Sequence, residues 1–227
     1  MLCKIADILT NIPTEGGMDA FCREYITTNG EASINIDASW YNIKNWPGLD
    51  SRDLAYMDSG LQFYINLLHF GGMLLHSSCI VIDDEAYLIS GPCCSGKSTH
   101  TNLLKKYIGG EIINDDKPAL RLINGQWIAY GTPWSGKNHI NINAKAPVKA
   151  ICFMSEKRAT NSIKKLNSFQ AMSRLLSQTT FRLDEDHMDM MLAHIDELVS
   201  RVPIYEMESL ANEESARLLF ETMKGSE

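Results

Sequence analysis

The sequence predicts an α/β fold with a mixed β-sheet and flanking helices. A short strand pattern at residues 86–90 runs into a glycine-bearing loop and then into a helical pattern, which is the order of elements typical of α/β proteins. Pairs of strand-length segments joined by turn residues predict antiparallel hairpins in the same sheet. The length of 227 residues predicts one domain with an appendage: a mixed α/β extension at 1–57, packed on the core, and a main domain at 58–227.

The elements of the first half follow from apolar spacing and turn residues. Residues 33–37 alternate like a half-buried strand, and residues 58–70 carry apolar side chains at helical spacing before a pair of glycines. Two apolar runs at 73–81 and 86–90, separated by acidic residues, predict a hairpin. A helix of about three turns is expected between the following loop and Gly109.

In the second half, Asn124-Gly125 lies between two strand patterns and is the strongest short-range hairpin signal of the chain. The strand patterns of this half lie at 111–114, 119–123, 126–130, 148–154 and 203–207. The amphipathic helical patterns lie at 168–178, at 184–199 and after Asn212, which is expected to cap the last helix. Helices and strands therefore intermix throughout the main domain.

The composition excludes several classes of function. Lys plus Arg (21) against Asp plus Glu (28) gives a net charge of −7, so no broad basic surface for nucleic acid is expected. The longest apolar stretch, 61–75, is interrupted by polar residues and is too short for a membrane span. The first residues lack a secretory signal, and the six cysteines lack metal-ligand spacing. We therefore expect a cytoplasmic protein with reduced thiols and with neither nucleic-acid nor membrane partners.

Residues 91–98, Gly-Pro-Cys-Cys-Ser-Gly-Lys-Ser, match the phosphate-binding P-loop pattern G-x-x-x-x-G-K-[ST]. In such a loop, backbone N–H groups at a helix N-terminus surround the phosphates of a nucleotide. Lys97 is expected to reach the β- and γ-phosphates, and the Ser98 hydroxyl is expected to bind Mg²⁺. The other expected binding residues of the loop are Gly91, Cys93, Cys94, Ser95 and Gly96.

Cys93 and Cys94 are unusual inside such a loop, because Cys94 must adopt the backbone angles of the loop without the freedom of glycine. A nearby lysine and a helix N-terminus favour thiolates. One hypothesis is therefore that oxidation or alkylation of these thiols inhibits the protein. The alternative is that both are small buried residues.

Asp115 and Asp116 follow the first strand after the helix of the loop. Because ligands bind at the carboxyl ends of strands in open α/β sheets, one aspartate could hold Mg²⁺ while the other accepts a proton from an attacking hydroxyl. The sequence does not decide which aspartate has which role. Lys137 lies in a loop with Trp134, and we predict that it contacts substrate or phosphate.

These motifs together resemble the HPr kinase-like serine kinases, whose catalytic domain shares its nucleotide-binding core with ATP-dependent phosphoenolpyruvate carboxykinase. The resemblance covers about residues 58–224 and rests on Met-Leu-Leu-His at 73–76, on residues 88–100 around the loop, and on Ile-Ile-Asn-Asp-Asp-Lys-Pro at 112–118. It implies a P-loop-containing HPr kinase/PEP carboxykinase-like core. It also implies a catalytic aspartate at Asp115 or Asp116, a supporting His76, and Mg²⁺-nucleotide binding at Lys97, Ser98 and Thr99.

The function expected from the motifs and the resemblance is an Mg²⁺-dependent transfer of the ATP γ-phosphoryl group to a serine hydroxyl of a peptide or protein. Relatives of this size resemble enzymes that act on a modified-peptide precursor. Two alternatives stay open: a kinase of free serine or another small hydroxy metabolite, and an ATPase or regulatory protein without an acceptor. The sequence does not distinguish ATP from another donor, or a monomer from a homo-oligomer.

Overall fold

The structure of the protein, a computed structural model, describes residues 22–28, 31–36, 51–157, 159–179 and 183–225. The chain falls into two compact units, Met1–Phe70 and Gly71–Glu227. In the first unit, β1 (Cys22–Thr28) and β2 (Glu31–Ile36) form an antiparallel hairpin, and α1 (Ser51–Leu67) runs into a 3₁₀ turn at Leu68–Phe70.

The strand predicted at 33–37 and the helix predicted at 58–70 are confirmed by β2 and α1, although α1 begins earlier, at Ser51. Most of the predicted extension at 1–57 lies outside the described residues. Its packing on the core and the division at residue 58 therefore stay predictions.

Nine strands of the second unit form one mixed sheet among the described residues. They are β3 (Gly72–Leu74), β4 (Ser77–Ile82), β5 (Glu85–Ser90), β6 (Glu111–Asn114), β7 (Ala119–Ile123), β8 (Gln126–Tyr130), β9 (Lys145–Met154), β10 (Ser162–Lys165) and β11 (Ile204–Glu208). Their order is β3-β7-β8-β9-β5-β4-β6, with β11 paired to β9 and to β10. The helices of this unit are α2 (Lys97–Tyr107), α3 (Ser168–Leu176), α4 (Glu185–Arg201) and α5 (Glu213–Lys224). The predicted α/β class with a mixed sheet and flanking helices is confirmed.

Two tight turns fix the hairpins of this sheet. Asp83 and Asp84 join β4 to β5 with φ angles of 51° and 62°, and Asn124 and Gly125 join β7 to β8 with φ angles of 51° and 81°. Left-handed backbone at both central positions matches the twist of the flanking strands. Both predicted hairpins are confirmed.

Polar caps begin three of the helices. The side chains of Asn167, Asp184 and Asn212 each accept a hydrogen bond from the backbone N–H three residues further on. Asn167 and Asn212 also complete capping boxes, in which the side chain at the third helical position bonds back to the N-cap N–H. Such caps stabilise a helix by about 1 kcal/mol each. The predicted cap at Asn212 is confirmed.

The core of the second unit lies where α2 and α5 cover one face of the central strands. The predicted apolar stripe of α5 is buried there, and the Phe220 ring lies 5.6 Å from the Tyr87 ring on β5, centroid to centroid. Fully burying such side chains contributes about 1.5–3 kcal/mol each. No helix in the described ranges is long and apolar enough to cross a bilayer.

One sequence prediction about this sheet is wrong. The apolar run at 73–81 is divided between β3, which pairs with β7, and β4, which pairs with β5 and β6. The break falls at Leu75 and His76. Because Leu75 is fully buried, the apolar pattern continues through the break and hides it.

The pairing directions bring several chain segments to one edge of the sheet. β4 is antiparallel to both β5 and β6, and β9 is parallel to both β5 and β11. The strands β5, β6, β9 and β11 therefore end at the edge where β4 begins. The residues next to those strand ends are His76, Gly91, Asp115, Ser155 and Ser209.

Candidate active site

A cavity of about 460 Å³ opens at this edge of the sheet. It is lined by the loop residues 93–100, by His76 and the two aspartates, by Gly136 and Lys137, and by the residues at the ends of β9 and β11. The fold thus brings together side chains from segments far apart in sequence. Every predicted site residue lines this cavity except Gly91, which is buried at the start of the loop.

The loop at 91–98 connects β5 to α2 and depends on glycine at both ends. Gly91 has a φ of 139° and Gly96 a φ of 103°, values that side chains rarely tolerate. A Cβ atom at Gly91 would lie 2.7 Å from the Ser95 Oγ and 3.1 Å from the Met154 carbonyl oxygen. The loop therefore packs tightly against the end of β9, and α2 begins at Lys97, after an N-cap glycine, Gly96, that provides no side-chain cap.

Lys97 is folded back against the loop. Its Nζ donates to the carbonyl oxygens of Gly91 at 2.8 Å and of Pro92 at 3.1 Å, and the side chain is buried. Burial lowers the pKa of Lys97, and the negative charge of Asp116 partly opposes that shift. The ammonium is therefore held inside the loop, close to the cavity, by two neutral acceptors that an anion could replace.

Asp116 and His76 form a hydrogen-bonded pair that lines the same cavity. The Nε2 atom of His76 lies 3.1 Å from Oδ1 of Asp116, and Nζ of Lys117 lies 3.2 Å from Oδ2. Burial alone would raise the pKa of Asp116, but the hydrogen bond from His76 and the charge of Lys117 outweigh it, so the pKa lies below its ordinary value. Asp116 is a carboxylate at neutral pH.

Gln178, from the segment after α3, holds the other side of the His76 ring. Its Oε1 lies 3.0 Å from Nδ1 of His76, and its carbonyl oxygen accepts from the His76 backbone N–H at 2.8 Å. The amide is oriented because its Nε2 donates to the Ser177 carbonyl oxygen at 2.8 Å. The Oε1 of Gln178 and the Oδ1 of Asp116 thus lie at opposite nitrogens of the His76 ring. The ring therefore presents Nε2 to Asp116 in a fixed orientation.

Asp115 has different partners from its neighbour. The residue is 5% exposed, and its two carboxylate oxygens accept from the backbone N–H groups of Gly136 at 2.7 Å and of Asn138 at 3.1 Å. A Cβ atom at Gly136 would lie 3.2 Å from Oδ2 of Asp115, so the loop approaches the acidic pair as closely as its backbone permits. Asp115 thereby fixes the segment that carries Lys137, whose exposed side chain lines the cavity.

Asn114, a residue that sequence reasoning missed, shapes the turn of the acidic pair. Its Oδ1 accepts from the backbone N–H groups of Asp116 at 2.9 Å and of Lys117 at 2.7 Å. Its Nδ2 donates to the carbonyl oxygens of Thr132 at 3.1 Å and of Trp134 at 3.2 Å. The side chain is fully buried. Asn114 therefore joins the turn at 115–117 to the loop that bears Lys137.

His100 links the phosphate loop to the end of β11 and was also missed. Its Nδ1 lies 2.8 Å from the Gly96 carbonyl oxygen, and its Nε2 lies 2.6 Å from Oγ of Ser209. A carbonyl oxygen only accepts, so Nδ1 is the donor, and Ser209 can donate to a neutral Nε2. The Ala211 N–H in turn donates to Ser209 Oγ at 3.0 Å. The buried histidine thereby holds the first turn of α2 in place.

The donor set suits a phosphate-bound cation better than an ion held by the protein alone. No group of three or more His, Cys, Asp or Glu side chains within the described ranges could hold a metal ion. Mg²⁺ at phosphate sites usually takes only one or two protein oxygens, with waters and phosphates as its other ligands. The Ser98 hydroxyl and the acidic pair face the same cavity and can supply such oxygens.

Comparisons with known proteins add little to this geometry. No protein-family model and no curated protein matches the chain. Among solved structures, the HPr(Ser) kinase/phosphatase from Coxiella burnetii is similar, with 15% sequence identity and a TM-score of 0.37 over 66% of this chain and 87% of that chain. At that level of similarity, the function has to be argued from the residues of this chain.

Proposed function

We propose that the protein is an Mg²⁺- and ATP-dependent kinase that transfers a phosphoryl group to a serine hydroxyl of a peptide or protein. The observation that carries the proposal is the convergence of the 91–98 loop and the Asp116–His76 pair on one cavity. An anion-binding loop faced by an oriented carboxylate is what phosphoryl transfer to a hydroxyl requires. A reducing cytoplasm, which holds ATP, is the compartment in which we propose that it acts.

The residues of the loop fit a nucleotide. The Oγ of Ser95 is buried and has no hydrogen-bond partner among the described residues, and a buried polar atom of this kind calls for a ligand or water. The first turn of α2 lacks a side-chain cap and lines the cavity, so its N–H groups suit an anion. Phosphate oxygens would replace the two carbonyl acceptors of Lys97, and Ser98 and Thr99 would complete the site.

Each side chain then has a defined role. When bound, ATP supplies the phosphoryl group and Mg²⁺ neutralises charge on its oxygens. Asp116 orients the acceptor hydroxyl and takes its proton, while His76 holds the carboxylate in place. Lys97 would stabilise negative charge on the transferred group from the loop at 91–98, and Lys137 would do so from the segment at 136–138. Ser98 would supply a hydroxyl ligand to Mg²⁺, and Asp115 keeps lone pairs with which it could also bind the ion.

The rim of the cavity favours a peptide acceptor over a small metabolite. Lys137, Asn138 and His139 form an exposed segment, of which Lys137 lines the cavity. Leu210 is 50% exposed and precedes Ala211, which also lines the cavity. A peptide bound in the cavity would have these exposed residues next to it, and Leu210 offers it an apolar contact.

The proposal is tested by phosphorus NMR of the protein with Mg²⁺-ATP in three tubes: alone, with free L-serine, and with a pool of serine-containing peptides. We expect a phosphomonoester signal in the peptide tube, and its loss in the Asp116→Asn variant. Asp196→Asn, which changes an exposed carboxylate on α4, is the matched control and should keep the signal. A phosphomonoester that forms only in the tube with free serine would mean that the acceptor is a small molecule and not a peptide.

Two other outcomes contradict the proposal more deeply. Inorganic phosphate without an ester in any tube would make the protein an ATPase. Absence of both products, together with no binding of Mg²⁺-ATP in calorimetry, would remove the nucleotide assignment itself.

A further inference from the structure

Cys93 and Cys94 form a pair of exposed thiols on the wall of the cavity. Their sulfur atoms lie 3.6 Å apart, in van der Waals contact. The other two cysteines whose side chains the structure describes, Cys79 and Cys152, are fully buried, and burial raises the pKa of both, that of Cys79 to about 12. Among these side chains, thiol chemistry at neutral pH is therefore confined to the pair in the loop.

Two positively charged features lie close to the pair. The Lys97 ammonium interacts electrostatically with both thiol groups. The N-terminus of α2, which begins two residues after Ser95, carries the positive end of the helix dipole towards the same loop. Both features place positive charge beside the two sulfur atoms.

We infer that Cys93 and Cys94 are a dithiol modification site, which small disulfides such as glutathione disulfide close into a disulfide, and that the closed loop excludes nucleotide phosphates. One protein thiolate attacks a sulfur of glutathione disulfide and releases the first glutathione thiolate. The second protein thiolate then attacks the mixed disulfide and releases the second. Two electrons pass from the cysteines to glutathione disulfide, and the two thiol protons end on the two glutathione thiols.

Closure strains the loop and changes its torsion angles. A trans peptide holds adjacent Cα atoms about 3.8 Å apart, closer than the roughly 4.4–6.8 Å that most disulfides span, and the two sulfur atoms must approach from 3.6 Å to about 2.05 Å. Cys94 has a φ of 63°, in the left-handed region, and this turn directs the amides of Ser95 and Gly96 that lead into α2. When the sulfurs bond, that turn must rearrange and the amides move with it. Strained, exposed disulfides are readily reduced, so the change is reversible by thiols.

Loss of nucleotide binding on closure rests on the proposed function, whereas the dithiol chemistry does not. The experiment therefore reads the two separately. A Cys3→Ser/Cys22→Ser background, reduced and desalted, is incubated with glutathione disulfide. Intact mass and peptide mapping follow the thiols, and calorimetry measures the dissociation constant of Mg²⁺-ATP before oxidation, after it, and after dithiothreitol.

We expect the loss of two hydrogen masses, mapped to the peptide with Cys93 and Cys94, and a dissociation constant for Mg²⁺-ATP raised at least tenfold and restored by dithiothreitol. Cys93→Ser and Cys94→Ser, each compared with itself before and after oxidation, should not lose the two hydrogens. In the protein that keeps both Cys93 and Cys94, stable glutathione adducts or an unchanged mass would overturn the dithiol site. An oxidised protein that binds Mg²⁺-ATP as before would overturn the exclusion of nucleotide. A reduced protein that binds no Mg²⁺-ATP would instead overturn the proposed function, while the mass change still decides the thiol chemistry.

Discussion

Replacing Asp115 and Asp116 one at a time by asparagine should give two different defects. The Asp115 carboxylate is buried and accepts two backbone hydrogen bonds, from Gly136 and Asn138. An asparagine has only one side-chain acceptor, so one of those N–H groups would face an NH₂ group. The Asp116 side chain is 22% exposed and faces His76 and Lys117, which solvent can partly replace.

The magnitudes follow from this difference. A buried N–H left without an acceptor costs about 1–3 kcal/mol. For a chain of this length, about 2 kcal/mol corresponds to a fall in Tm of roughly 4–8 °C for Asp115→Asn. For Asp116→Asn, the pair with the half-exposed Lys117 contributes at most about 1 kcal/mol, so Tm should change by less than about 4 °C. Turnover should fall by about 10²–10⁴ in Asp116→Asn, because the proposed general base is lost.

Thermal unfolding followed by circular dichroism measures Tm, and single-turnover transfer to the peptide acceptor measures the rate. Asp115→Asn should mainly lower Tm, and it should lower the rate because the loop that carries Lys137 is displaced. Asp196→Asn on α4 controls for the loss of one surface charge. A larger fall in Tm for Asp116→Asn than for Asp115→Asn, or wild-type turnover in Asp116→Asn, would refute the division of roles.

Three further predictions concern the same cavity. Lys97→Met should weaken Mg²⁺-ATP binding at least tenfold in calorimetry, whereas Lys106→Met, an exposed lysine in the last turn of α2, should not. Gln178→Met removes the hydrogen-bond partner of His76 Nδ1 and should change the ¹⁵N shifts of that ring and lower turnover, while Gln178→Glu keeps an oxygen there; unchanged shifts in Gln178→Met would contradict the link. Because the pKa of Asp116 is lowered by folding, its stabilisation is present above the unfolded-state value of about 4 and is lost as pH falls through the folded value. The difference in unfolding free energy between wild type and Asp116→Asn, measured in urea, should therefore shrink on acidification. A difference that grows as the pH falls would contradict a lowered pKa of Asp116 in the folded state.

The parts of the fold that the sequence predicted are those with local causes. The turn at Asn124-Gly125 needs only its own two residues, and the cap at Asn212 bonds three residues away. The division of 73–81 depends instead on pairing with β7, more than forty positions downstream, and it leaves the apolar pattern unbroken. β10 was missed for a related reason: its polar, mostly exposed residues are held in a strand by pairing with β11.

The candidate site divides in the same way. The loop at 91–98 is one continuous stretch of sequence, so its motif can be recognised without knowledge of the fold. The contact between His76 and Gln178 joins residues 102 positions apart, and the glutamine lies in no motif that could have revealed it. Asn114 could have been noticed, because it immediately precedes the acidic pair and asparagine often bonds the backbone two or three residues on.

The local backbone explains why two adjacent aspartates take different roles. Asn114 bonds the N–H groups of Asp116 and Lys117 and so tightens the chain into a turn just after Asp115. The Asp115 side chain then meets the backbone at 136–138, while Asp116 meets His76 on the other side of the turn. The first aspartate has both oxygens bound by fixed N–H donors, whereas the second is held by side chains that can release it. In the proposed reaction, the proton of the acceptor hydroxyl would therefore go to Asp116, because proton transfer to Asp115 would break bonds that hold the loop bearing Lys137.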